Sequence, residues 1–99
     1  MAIQKEIDIN GLSFHGTRIK STVEKIKKLF GPTDWEYRVI AEKSQCEWCG
    51  ITDDGHKFTI YDWKENRSFR DNEPILFHIG GESKFKTEQA KNELKKLGI

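Results

Sequence analysis

The sequence predicts a small α+β protein, an antiparallel sheet of about four to five strands with two helices, in one domain over residues 1–99. Segments in which apolar and polar side chains alternate are separated by turn-forming residues such as Asp53-Asp54-Gly55, which is typical of antiparallel hairpins. Two other segments carry apolar residues three and four positions apart, as amphipathic helices do. The length allows one modest core.

The N-terminal region predicts a hairpin followed by a helix. Residues 3–9 alternate as a half-buried strand, Asn10-Gly11 favours a tight turn, and residues 12–15 return as a short strand that Gly16 ends. Ser21 then starts a capping box. The helix has an apolar face and ends at Gly31-Pro32; the face is formed by Val23, Ile26, Leu29 and Phe30.

The middle of the chain predicts a second hairpin. Residues 33–44 fit either a loop or an irregular strand, whereas residues 45–52 and 56–63 read as two strands around a turn. In the return strand both sides carry aromatic rings. Such a strand is either central to the sheet or faces a partner or ligand. One side has Phe58, Ile60 and Asp62, and the other has Thr59, Tyr61 and Trp63.

The C-terminal region predicts a surface loop over residues 64–73, a strand over residues 75–79 and a second helix. Gly80-Gly81 is expected to end the strand, and Ser83 to cap the helix. The apolar stripe of this helix is Ala90, Leu94 and Leu97.

The charge balance restricts the partners. Lys and Arg total 17 against 16 Asp and Glu, a net charge of +1, which argues against a broad basic face for duplex nucleic acid. No signal peptide or membrane-spanning segment is expected, so the sequence predicts a cytosolic protein.

Cys46 and Cys49 lie three residues apart in a strand, and strand residues separated by an odd number of positions point to opposite faces. We therefore expect two reduced thiols, and neither a disulfide nor a metal site.

Gly80-Gly81-Glu82-Ser83-Lys84 is a candidate anion-binding turn, because glycines before a helix let backbone N–H groups approach a phosphate. Gly80, Gly81, Ser83 and Lys84 are its candidate ligand-binding residues. The ordinary alternative is a tight connection between strand and helix.

Aromatic residues accompany this turn. If their strands are neighbours, Tyr61, Trp63 and His78 lie on one sheet face, where their rings can stack on a base. The ordinary alternative is that a helix covers them as core. Positive charge near them is expected from three loop residues, Lys64, Arg67 and Arg70.

The sequence does not predict an enzyme. Asp62, Glu73 and His78 can be assembled on paper into an acid and base pair, but no nucleophile elbow, metal-ligand set or P-loop accompanies them. No catalytic residue, cofactor or metal is therefore expected.

The segments Ile60–Lys64 and Phe77–Gly81, between a helix ending in F-G-P and a short Lys-rich helix, resemble a group of small bacteriophage proteins of unassigned function. The resemblance covers residues 21–97, and residues 33–44 are particular to this chain. It implies a phage protein made in the cytoplasm of an infected host bacterium. By analogy of class, it implies an inhibitor of host defence, of the kind that sequesters cyclic nucleotide signals as anti-CBASS sponges do.

Together these observations predict a non-catalytic binder of a phosphorylated small molecule. The favoured ligand is a cyclic dinucleotide. The alternative is a phage protein that inhibits a host protein through a surface contact. A homodimer is also expected, because aromatic residues on both faces of one strand need more cover than two helices supply.

Overall fold

The computed structural model describes residues 2–3, 11–31, 35–36, 46–63 and 70–99. The predicted strand over residues 4–9, most of residues 33–44 and the loop over residues 64–69 lie outside these ranges. The elements in chain order are β1 (Ala2–Ile3), β2 (Ser13–Ser21), α1 (Val23–Phe30), β3 (Trp35–Glu36), β4 (Cys46–Ile51), β5 (Lys57–Asp62), β6 (Ile75–Gly81) and α2 (Lys84–Lys96).

The described strands form one antiparallel sheet, in which the four long strands follow the order β4-β5-β6-β2. The two-residue strands β1 and β3 both pair with the outer edge of β4. The α+β prediction is confirmed. The hairpin predicted around Asp53-Asp54-Gly55 is also confirmed, since Ile51 pairs with Lys57 across it and Gly55 has a φ of +84°.

Both helices pack on one face of the sheet, which we call the core face. Side chains of α1 and α2 join the inward side chains of β2, β4, β5 and β6 in a single apolar cluster. Burial of this apolar area is the main stabilising term for a domain of this size. Its members are Ile19, Val23, Ile26, Phe30, Trp48, Phe58, Ile60, Ile75, Phe77, Ile79, Ala90 and Leu94.

The strand β2 is longer than the sequence predicts. Gly16 does not end it, because the chain passes through this residue with a φ of +89° and continues to Ser21. The pairing with β6 shifts register between Phe14 and Arg18, which indicates a β-bulge around Gly16. A glycine accepts this positive φ without strain.

The first helix begins one residue later than the predicted capping box. Thr22 is the N-cap, and its side-chain oxygen accepts a hydrogen bond of 3.1 Å from the backbone N–H of Lys25, whereas Ser21 ends β2. At the other end Gly31 stops the helix with a φ of +81°. Its carbonyl accepts a 3.3 Å hydrogen bond from the indole N–H of Trp48, so the polar atom of this buried ring is paired.

Two predictions about the C-terminal region are wrong. Gly80 and Gly81 were expected to follow the strand, but β6 is two residues longer and includes both of them, paired with β5 on one side and β2 on the other. Leu97 is half exposed rather than buried, because it lies at the C-cap beyond the last turn of α2. Within the described ranges, none of the helices has the length and apolar character needed to cross a membrane.

Candidate functional site

The sheet face opposite the helices carries a group of rings. We call it the aromatic face and define it by Phe14, Arg18, Tyr61, Trp63 and His78. Along β5 the alternation predicted from the sequence holds: Phe58 and Ile60 are buried in the core face, whereas Tyr61 and the following Trp63 are half-buried or exposed on the other side. No helix packs on this side among the described residues.

The three rings predicted to share a face do meet. Tyr61 and His78 are cross-strand partners with ring centroids 5.6 Å apart, and Tyr61 contacts the edge of Trp63 at 6.2 Å. The rings of Trp63 and His78 are 6.0 Å apart and only 25° from parallel. Trp63 remains 38% exposed, so a flat ligand can reach its ring.

A fourth ring, which the sequence did not predict, extends the cluster. Phe14 stacks on His78 with centroids 4.0 Å apart and planes 15° from parallel, and the Arg18 guanidinium lies 5.0 Å from the Phe14 centroid. Burial, and then the positive charge of Arg18, lowers the pKa of His78 below its ordinary value. The imidazole is therefore neutral at pH 7, and it stacks as an uncharged ring.

A cavity of about 250 Å³ opens beside these rings. Glu47 of β4 forms part of the cavity wall and is the cross-strand partner of Tyr61 in β5. Burial raises the pKa of the Tyr61 hydroxyl above its ordinary value, and the negative charge of Glu47 raises it further. The lining residues are Leu12, Ser13, Glu47, Thr59, Tyr61, Trp63 and Gly80.

Two other cavities lie away from the aromatic face. The larger, of about 470 Å³, lies between the β4–β5 turn and α2. Four carboxylates surround it, from Asp53, Asp54, Glu88 and Glu93, so it disfavours a phosphorylated ligand. The other, of about 190 Å³, lies between α1 and the C-terminal residues. Lys25 and Lys28 in its wall favour an anion, but its described lining has no aromatic ring on which a base could stack.

The anion-binding turn is not present in the predicted form. Gly80 and Gly81 are paired on both sides within β6, and a Cβ on Gly81 would lie 2.7 Å from Cγ2 of Thr87 in α2. Anion binding at the start of α2 stays a prediction. These glycines serve close packing. Ser83 is the N-cap of α2, as predicted, and its hydroxyl accepts from the N–H of Lys86 at 3.3 Å.

Of the four remaining predicted ligand-binding residues, the structure describes two. Lys84 is exposed in the first turn of α2, the helix that packs on the core face. Arg70 is exposed in the loop before β6, while Lys64 and Arg67 lie outside the described residues. A ligand-binding role for these four side chains stays a prediction.

The candidate acid and base pair is separated by the sheet. Asp62 is fully buried on the core face, whereas His78 is on the aromatic face. Cys49 is a buried thiol paired in register with Thr59. Because β4 and β6 are separated by β5, Cys49 lies about 10 Å or more from His78, too far for a thiol and base pair.

Sequence reasoning missed Phe14, Arg18 and Glu47. The position of Glu47 opposite Tyr61 could have been predicted from the hairpin turn. A register that pairs Ile51 with Lys57 across the turn also pairs Glu47 with Tyr61. No comparable local signal identifies Phe14 and Arg18, since their position depends on the pairing of β2 with β6.

Comparison of the chain with models of known protein families, with curated proteins and with solved structures gives no match.

Proposed function

We propose that the protein is a non-catalytic binder that sequesters a phosphorylated small molecule, and that this ligand is a cyclic dinucleotide. The main supporting observation is the contact among the rings of Tyr61, Trp63 and His78 beside a cavity on the aromatic face. The sequence resemblance adds the setting, a phage protein that counters host defence in the bacterial cytoplasm.

The rings supply the affinity for bases. Stacking of a base on an aromatic side chain contributes about 1–3 kcal/mol. Trp63 offers the most accessible ring, and His78 backs it at 6.0 Å in a nearly parallel orientation. Because Phe14 holds the other side of His78 at 4.0 Å, the platform is ordered before a ligand arrives, which reduces the entropy lost on binding.

Basic side chains of β2 supply the affinity for phosphate. Arg18 and Lys20 alternate with buried residues along β2, so both point to the aromatic face. They pair in register with His78 and Leu76, at one side of the rings. A phosphate there is close to two cations, and the bases of the same ligand lie over the rings.

The cavity accepts one base of a cyclic dinucleotide. Its volume of about 250 Å³ is below the 300–1,000 Å³ typical of sites that enclose a whole drug-sized ligand. The second base then stacks on the outer surface of Trp63 or meets a second copy of the chain. We propose a homodimer on this ground, in addition to the aromatic residues on both faces of one strand, from which the sequence predicts one.

A second candidate function is inhibition of a host protein through a surface contact. The aromatic face carries three exposed apolar side chains, Phe14 at 36%, Trp63 at 38% and Leu76 at 48%. Aromatic residues on an open face are common in protein interfaces. A protein partner would use Leu76 as well as the rings, whereas a nucleotide would use the rings alone.

Calorimetric titration with a panel of cyclic dinucleotides tests the first candidate. We expect one member to bind and to be recovered chemically unchanged after denaturation of the complex. At a hundredfold its dissociation constant it adds about 2.7 kcal/mol of apparent stability. Light scattering of the same samples tests the dimer, which the mass of a single chain at high micromolar concentration would exclude.

Two variants separate the candidates. Trp63→Ala is expected to weaken nucleotide binding by about 1–3 kcal/mol, with a small change in melting temperature because the ring is partly exposed. Leu76→Ala, on the same face, is the matched control and should leave nucleotide binding unchanged. If no nucleotide binds the wild type, the sequestering function is wrong, and the protein-contact function takes its place.

A further inference from the structure

We propose that the cavity between α1 and the C-terminal residues binds a short amphipathic anion, an alkyl chain of about six carbons with a carboxylate or phosphate head. The cavity has an apolar wall of Leu29, Leu97 and Ile99 and two basic side chains, Lys25 and Lys28. It shares no residue with the aromatic face, so this inference does not depend on the proposed function.

The apolar wall is held in place by the backbone at the end of α2. Gly98 has a φ of +92°, and its N–H donates to the Lys95 carbonyl at 3.1 Å, while the N–H of Ile99 donates to the Leu94 carbonyl at 3.1 Å. These two bonds form a Schellman motif, which turns the chain back at the helix end. Ile99 thereby packs against the core cluster, whereas Leu97 remains 50% exposed in the cavity wall. The wall is therefore formed before a ligand binds, and part of its apolar surface is in contact with water.

The two lysines of the wall have no carboxylate partner. Lys25 and Lys28 lie three positions apart, so they are neighbours on the surface of α1. Lys27 is close to Asp71 at 3.7 Å, but within the described parts of the chain no carboxylate forms an ion pair with Lys25 or Lys28. Like charges at this spacing repel each other, and Lys25 is in the first turn, where the helix dipole disfavours a cation. Helix stability therefore does not account for Lys25, and a bound anion would offset both effects.

The two parts of the wall need different parts of one ligand. An inorganic anion would pair with the lysines but leave the apolar wall in water, and a hydrocarbon would do the opposite. An alkyl chain with an anionic head satisfies both, because its head meets two exposed lysines and its chain covers the apolar side chains. The volume of about 190 Å³ corresponds to about six methylene groups, each close in size to a water molecule at about 30 Å³.

NMR titration of the full chain with straight-chain carboxylates from butanoate to decanoate, below their micelle concentrations, tests this inference. Methyl resonances of Leu29, Leu97 and Ile99 report binding at this cavity. The affinity should rise by about 3- to 4-fold for each added methylene and level off near heptanoate, because further carbons lie outside the cavity. Hexyl phosphate in a parallel titration decides between the two heads, since the tighter binder identifies the natural one.

Removal of charge tests the basic part of the wall. Lys25→Gln and Lys28→Gln should each weaken heptanoate binding by up to about 5-fold at low salt, and by less at high salt because the charges are screened. Heptanol, which has no charge, should bind both variants as it binds the wild type. Lys57→Gln is the matched control, because Lys57 is an exposed lysine of β5 outside this cavity, and it should change neither affinity.

Truncation of Leu97 tests the apolar part. Leu97→Ala should weaken heptanoate and heptanol alike by about 5-fold, since the half-exposed side chain covers part of the bound alkyl chain. Leu76→Ala, at a side chain 48% exposed on the aromatic face, is the matched control and should have no effect. Melting curves check that every variant folds.

Four results would overturn the inference. The first is the absence of shifts at the three reporter methyl groups. The second is heptanol binding as tightly as heptanoate, which would exclude the lysines. The third is an affinity that keeps rising through decanoate, which indicates unspecific partition. The fourth is a dependence of the reporter resonances on protein concentration without ligand, which would make this surface an interface between copies. None of these results bears on nucleotide binding at the aromatic face.

Discussion

Both faces of the sheet carry aromatic side chains, but the rings are buried on the core face and partly exposed on the aromatic face. On the core face Phe58, Phe77 and Trp48 are at most 1% exposed. Phe77 contacts Trp48 edge to face, and Phe58 makes the same kind of contact with Phe30 of α1. On the aromatic face Phe14 and Trp63 keep more than a third of their surface exposed. Both groups of rings are ordered by ring contacts, but only the second is accessible to a ligand.

The difference follows from what lies above each face. Helices supply the apolar side chains that exclude water from the core face, and burial of a large ring there contributes directly to stability. The aromatic face pairs its rings with charged side chains instead, Arg18 on one side and Glu47 on the other. Exposed rings between charges cost stability relative to a covered face, and the proposed binding function would account for this cost.

The largest expected effect is the loss of a ring from the core face. Phe77→Ala should lower the free energy of unfolding by about 3–5 kcal/mol, because the ring is fully buried against Trp48. The matched variant Phe14→Ala should cost only about 1 kcal/mol, mainly the stacking on His78. Urea denaturation of both variants measures the difference. Equal losses would contradict the assignment of the two faces.

A smaller effect is expected at the adjacent glycines, whose Cβ positions point to opposite faces. Gly81→Ala should cost about 1–3 kcal/mol, because Thr87 is fully buried and cannot move away. Its hydroxyl is fixed by contacts to Thr17 at 2.7 Å and to the Lys84 carbonyl at 2.9 Å.

Gly80→Ala makes the matched change on the aromatic face. Its Cβ would press on Thr59, whose side chain borders the cavity rather than a packed helix, so the stability cost should be smaller, at about 1 kcal/mol. The variant should instead weaken ligand binding by narrowing the cavity. Melting curves and titration of both variants check this, and a Gly80→Ala protein that is the less stable of the two would reverse the comparison.

The smallest expected effect is on the titration of His78. Its pKa is lowered in the folded state, so the unfolded chain takes up a proton first as the pH falls below about 6.5. This group therefore reduces stability progressively from about pH 6.5 down through its folded pKa, and has no effect above that window. Arg18→Gln should raise the pKa of His78 and narrow the window.

Proton NMR of the imidazole measures this pKa, with His78→Gln identifying the resonance. A midpoint in Arg18→Gln that equals the wild-type value would show that Arg18 does not act on the ring. A wild-type midpoint at or above 6.5 would contradict the burial of His78 between Phe14 and Tyr61.

Local patterns predicted much of the fold. The alternation along β5, the turn after β4 and the apolar face of α1 each depend on residues within one element, and all three predictions are confirmed. Predictions at element ends were less accurate. Gly16 and Gly80-Gly81 were expected to end strands, but Gly16 lies inside β2 and Gly80-Gly81 belong to β6. Glycine occurs in turns and also at bulges and close contacts, and only the neighbouring element distinguishes these uses.

The sequence by itself determined the fold class and the side of β5 that Tyr61 and Trp63 share, because side-chain alternation along a strand is a local property. Their grouping with His78 also required β5 and β6 to be neighbours, which the structure shows. The tertiary structure alone decided that Phe14 and Arg18 join them, through the pairing of β2 with β6 some 60 residues further along the chain. It also decided that Gly80 and Gly81 pack within a strand. Long-range pairing depends on which elements cover each face, and no local pattern encodes that choice.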